Sequence, residues 1–109
     1  MPNKRASAWL YLMRSSTNLS QRKLANKVGL TNTAVSNAEQ KGYASAETWA
    51  RLAVYFKFST DAILWLAGVI EMTAPPKREI ISRLEQVMTE MEPETRDAAE
   101  KFIKSIINE

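Results

Sequence analysis

Neither cysteine nor histidine occurs in the 109 residues. Without cysteine there is no disulfide framework and no thiol nucleophile, and without histidine the usual zinc ligand and the usual general base are missing. An enzyme is therefore the least expected class, and no catalytic residue, metal or cofactor is assigned. Glycine and proline number only 3 and 4, which argues against collagen-like or low-complexity sequence. Long apolar runs are absent too. The stretch AILWLAGVI, Ala62 to Ile70, has nine residues, whereas a membrane-spanning helix needs about 20. It reads as buried helix, with no membrane partner. The opening MPNKRASAWLYLMR is basic, but its apolar residues are interrupted and no small-residue cleavage site follows, so the expected location is cytoplasmic. No stretch alternates with the period of a strand, and no repeat of solenoid length occurs.

What is present fits one compact domain with a short appendage. Hydrophobic residues make up 45% and charged residues 25%, so a folded core is expected. The net charge of +3 is unevenly spread: residues 1–74 carry nine Lys or Arg against four Asp or Glu, and residues 75–109 carry six against eight. A basic front and an acidic tail fit a polyanionic partner for the front, and equally fit a merely solvated surface.

Apolar residues at Ala6, Trp9, Leu10 and Met13 follow helical spacing and predict a first helix over Lys4 to Ser15, ended by Thr17 and Asn18. Ser20 is placed to cap a second helix that buries Leu24, Ala25 and Val28 and stops at Gly29. Thr31 caps a third, with Val35 and Ala38 buried, ending near Gln40 before the break at Lys41-Gly42. A fourth follows Ser45 and buries Trp49, Leu52, Ala53 and Phe56, and a fifth starts at Ser59 or Thr60 and runs to about Met72. Thr73 to Pro76 reads as a linker, since prolines lack an N–H and restrict the residue before them. Two further apolar stripes, either side of Glu92-Pro93-Glu94, predict a helical hairpin over 77–109. The expected organisation is a domain over 1–72, a linker over 73–76 and the hairpin. Glu90, Glu92 and Glu94 read as a solvated acidic turn.

The segment LSQRKLANKVGLTNTAVSNAEQKG places small and turn-forming residues, Ala25 and Gly29, where two helices must cross steeply through a tight bend. It leaves Asn32, Thr33, Ser36 and Asn37 on a face that a plain core helix would not make polar. The segment resembles the helix-turn-helix of the Cro and phage-repressor (XRE) family, and the likeness runs from about Leu10 to Gly68. The resemblance implies an all-α fold, a five-helix lambda-repressor-like DNA-binding domain, here followed by the two-helix hairpin. It also implies that Arg14 pairs with Glu39, and that double-stranded DNA is the partner.

On that basis Asn32, Thr33, Ser36 and Asn37 are the candidate base-contacting residues. An Asn amide can pair with adenine N6 and N7, and a Thr methyl can touch the thymine methyl. Alternatively, Asn32 and Thr33 bond their own backbone in the first helical turn, as short polar side chains often do. Gln21 stands at a helix N-terminus, which suits phosphate, and Arg22, Lys27, Lys41 and Tyr43 are further phosphate candidates, the last two from the loop after the third helix. Thr31 to Gln40 contains no Arg or Lys, so the commonest contact to guanine is missing and A·T-rich sites are expected.

A two-helix hairpin covers only one inner face, so the tail should pack on the first domain or on a second subunit. Trp65, Leu66, Val69, Ile70, Leu84, Val87, Met88, Phe102, Ile103 and Ile106 are the expected homodimer interface, matching the two-fold sites such proteins read. The expected function is a sequence-specific transcriptional regulator, a repressor binding a pseudo-palindromic operator. The alternatives are an antitoxin-type autorepressor whose residues 77–109 hold a protein partner, and an interaction module that does not bind DNA.

Overall fold

The computed structural model describes residues 4–108. Among them are seven helices and no strand: α1 (Lys4–Ser16), α2 (Gln21–Val28), α3 (Asn32–Lys41), α4 (Ala46–Tyr55), α5 (Thr60–Leu66), α6 (Lys77–Met88) and α7 (Pro93–Ile107). The all-α class, five helices followed by two more, is the one the apolar periodicity predicts.

Four of the helices start in the same way. Ser20, Thr31, Ser45 and Ser59 are extended N-caps whose hydroxyls accept from the backbone N–H three residues on, at 3.1, 3.0, 3.1 and 3.2 Å. Each satisfies a donor that the first turn leaves unpaired, and each contributes about 1 kcal/mol. α7 instead starts with Pro93, whose missing N–H costs nothing at that position.

α1 is the central strut, lying against α3, α5 and α7. Its Trp9 is fully buried and meets Phe56 and Phe58 edge-on at 5.8 and 5.4 Å. Leu10, Met13, Leu24, Val35, Trp49, Leu52 and Ile63 complete the core of the first five helices. That core continues without interruption into Ile80, Leu84, Ala99, Phe102 and Ile106 of the hairpin. A fully buried Leu or Ile stabilises by about 1.5–3 kcal/mol relative to exposure, so this stripe holds the hairpin firmly on the body of its own chain.

Three expectations are corrected here. α5 stops at Leu66, well short of Met72. Gly68 takes φ 74, Val69 N–H bonds back to Leu64 O at 2.9 Å and Gly68 N–H to Trp65 O at 3.0 Å, a pattern that closes a helix. Second, Leu66, Leu84, Phe102 and Ile106 are not a free interface: they are 0%, 0%, 6% and 0% exposed within the single chain. Packing within the chain, α7 on α1 and α6 on α5 and α7, supplies their cover. Trp65 is also partly covered, by the Arg5 guanidinium 4.7 Å from its ring centre. Third, Lys41 is the last residue of α3 and not part of the loop after it.

Candidate nucleic-acid interface

α2 and α3 are separated by only Gly29, Leu30 and Thr31. Gly29 adopts φ 72, ψ 33, the left-handed conformation that residues with a Cβ disfavour. Leu30 N–H then bonds to Ala25 O at 2.9 Å, which closes α2 and turns the chain into α3. Leu24, Ala25, Val35 and Ala38 are buried at the crossing, and the two alanines allow close approach.

The two ends of α3 differ in their attachments. Towards its C-terminus, Glu39 accepts from Arg14 Nε at 2.6 Å and Arg14 Nη2 at 2.8 Å, a fork-to-fork ion pair. Gln21 Nε2 donates to the same carboxylate at 3.1 Å. Arg14 Nη1 also donates to Leu19 O at 2.8 Å, and Ser7 Oγ donates to Glu39 O. One carboxylate thus ties the end of α1, the start of α2 and the last turns of α3. Hydrogen bonding to Glu39 raises the Arg14 pKa above the ordinary arginine value, burial works against this, and the charge of Glu39 adds to it.

At the other end, Asn32 and Thr33 are exposed and Ser36 and Asn37 half-buried. The N-cap bond is made by Thr31, so Asn32 and Thr33 do not satisfy the first turn of α3. No side chain of these four is hydrogen-bonded to another described residue. The result is a row of amide and hydroxyl groups left to solvent on a helix anchored elsewhere.

Residues 10–63 match the family model for the helix-turn-helix. The chain belongs to the Cro and phage-repressor (XRE) helix-turn-helix family. Searches of the curated proteins and of the solved structures gave no match. Helix-turn-helix proteins of this family are DNA-binding transcriptional regulators, and double-stranded DNA is the partner the family implies. No described helix is long and apolar enough to cross a membrane, and no group of described carboxylates could hold a metal ion.

Within this helix-turn-helix protein the phosphate candidates fall in three places. Gln21 and Arg22 sit at the α2 N-terminus, where the cap leaves their own backbone N–H groups open. Lys41 and Tyr43 lie at the far end of α3 and line one depression with Lys4, Ser7 and Gln40. Lys27 stands at the other end of α2, beside an apolar depression with Val28, Ala50, Arg51 and Val54 that none of the other candidates lines. Arg51 is not among the residues expected at the site. From α4 it donates to Gly29 O at 3.2 Å and Val28 O at 3.4 Å while pairing with Glu47 at 3.1 Å, so it caps the carbonyl end of α2 at the turn itself. Its only sequence signal is the i, i+4 spacing from Glu47, which marks a helical ion pair and not a bond to another helix.

Proposed function

We propose that the protein is a repressor that occupies operator DNA as a homodimer and excludes competing proteins from a promoter. The observation that carries this is the pairing of an uncommitted polar row, Asn32, Thr33, Ser36 and Asn37, with an anchored helix axis. A major groove admits an α-helix, and side chains with no internal partner lose nothing when they bond to base edges. The absence of Arg and Lys between Asn32 and Gln40 favours adenine and thymine over guanine in the half-site. Gln21 keeps one amide hydrogen beyond the one given to Glu39, and this, with the open backbone N–H groups of Gln21 and Arg22, suits one phosphate.

Two-fold association follows from the weakness expected of a single copy with few phosphate contacts at physiological salt. Met88, Ile103 and Ile107, the last 58% exposed, line one outer depression of the hairpin, while Val87 lines another with Met13 and Phe56; Val69 and Ile70 leave a further apolar strip after α5. The first is the proposed contact between copies. Selection of bound duplexes from a random pool tests the whole proposal. Two A·T-rich half-sites related by a two-fold, with centres about 34 Å apart, are expected. A pool that shows no enrichment after repeated rounds would exclude sequence-specific binding and leave the scaffold as a protein-interaction module.

A further inference from the structure

The fold brings together a second group of donors that no feature of the helix-turn-helix itself requires. Lys4, in the first turn of α1, and Lys41, the last residue of α3, are far apart in sequence yet line one depression with Tyr43, Ser7 and Gln40. Ser7 Oγ bonds to Glu39 O, and this fixes the start of α1 against the end of α3. Tyr43 N–H bonds to Asn37 O at 3.3 Å and Gly42 takes φ 72, so the loop carrying Tyr43 is folded back on α3 with its ring 51% exposed. The Glu39 carboxylate, near the same end of α3, is turned inward onto Arg14 and Gln21. The depression therefore has two ammonium groups and a phenol hydroxyl and no acidic lining residue.

Resting on the duplex-binding function proposed above, we infer that Lys4, Lys41 and Tyr43 form a clamp for a backbone phosphate at the C-terminal end of α3. α3 itself carries no cation before Lys41, so charge neutralisation must come from its flanks. Arg22 provides it on the α2 side, where Gln21 adds a neutral donor. The Lys4 clamp provides it at the opposite end, and the reading helix is then held across the groove from both ends. Lys4 thereby becomes a DNA-positioning residue contributed by α1, the core strut.

Salt titration of the full-length protein on its selected duplex separates the outcomes. For a phosphate contact made by a cation, the plot of log affinity against log salt should become shallower by about 0.9. K4Q and K41Q are each expected to show that change and to keep the wild-type preference for the selected duplex over one with a single base pair changed. Y43F is expected to bind about tenfold more weakly with an unchanged slope, since it removes a neutral donor to a charged acceptor. R78Q, exposed in the first turn of α6 and away from the proposed contact between copies, serves as the control and should behave as wild type. Lys4 is exposed, so an unchanged melting curve will show that K4Q is folded. A wild-type slope in K4Q, or a change in its base preference, overturns the clamp while leaving duplex binding intact. Wild-type protein that binds no duplex in a salt-dependent way overturns both.

Discussion

The two halves of α3 are built on opposite principles although they share one helix of 10 residues. Glu39 in the last turns takes three donors from two other helices, while Asn32 and Thr33 in the first turn take none. Val35 and Ala38 point into the core throughout. The difference separates two jobs along the helix axis: one end fixes where the helix lies, and the other is free to spend its hydrogen-bonding capacity on a partner. Substitutions at the anchored end should therefore cost stability, and substitutions at the free end should not.

The largest effect is expected for Arg14→Ala. It strands the Glu39 carboxylate, whose side chain is only 9% exposed, and removal of one partner of a buried pair costs about 3 kcal/mol or more. Thermal unfolding should show a fall of many degrees, accompanied by loss of duplex binding; an unchanged melting temperature would mean that the pair does not hold the motif. The positive shift on Arg14 adds no pH dependence near neutrality. A pKa raised by folding gives stabilisation that is complete below the ordinary arginine value and is lost only as pH rises past the raised one.

Next in size is Gly29→Ala, which puts a Cβ on a residue at φ 72 and should cost about 1–2 kcal/mol. The new methyl would lie 3.0 Å from Arg51 Nη1, the far end of a flexible side chain, so the backbone conformation and not the contact sets the cost. Denaturant unfolding of Gly29→Ala beside Gly29→Asn checks this, because Asn tolerates the left-handed region better and should lose less. The smallest stability effect belongs to the free end. Asn32→Ala and Thr33→Ala should stay within about 0.5 kcal/mol of the parent, as substitutions away from core and caps generally do. A loss above about 1 kcal/mol in either would reveal a structural bond at the supposedly free end and blur the contrast between the halves. For the hairpin, Ile107→Glu should shift sedimentation equilibrium toward monomer while leaving the fold intact, because this side chain is 58% exposed in its own chain.

Much of this was legible in the residues themselves. Ser20 and Thr31 as N-caps and Gly29 as the turn follow from local chemistry, which needs only neighbours a few positions away. The early end of α5 was less visible, because AILWLAGVI stays apolar on both sides of Gly68 and hydropathy alone cannot tell a helix from a buried loop that follows it. The residues left open whether the first domain or a second subunit covers the inner stripe of the hairpin. Periodicity shows that Leu84, Phe102 and Ile106 face something, but their burial between the hairpin and the body of the same chain depends on tertiary packing. For the same reason Lys4 and Arg51 passed unnoticed, since each acts across a gap in sequence that no local pattern spans.

On the function proposed above, Asn32, Thr33, Ser36 and Asn37 read base edges while the bonds to Glu39 set where the helix lies. The decisive measurement is fluorescence anisotropy of Asn32→Ala combined with Asn37→Ala, on the selected duplex and on one with a changed A·T pair. The variant should fold normally, keep the wild-type salt slope and bind the two duplexes nearly equally, having lost about 1–3 kcal/mol of discrimination for each bidentate contact removed. Full wild-type discrimination in a folded variant would contradict the claim.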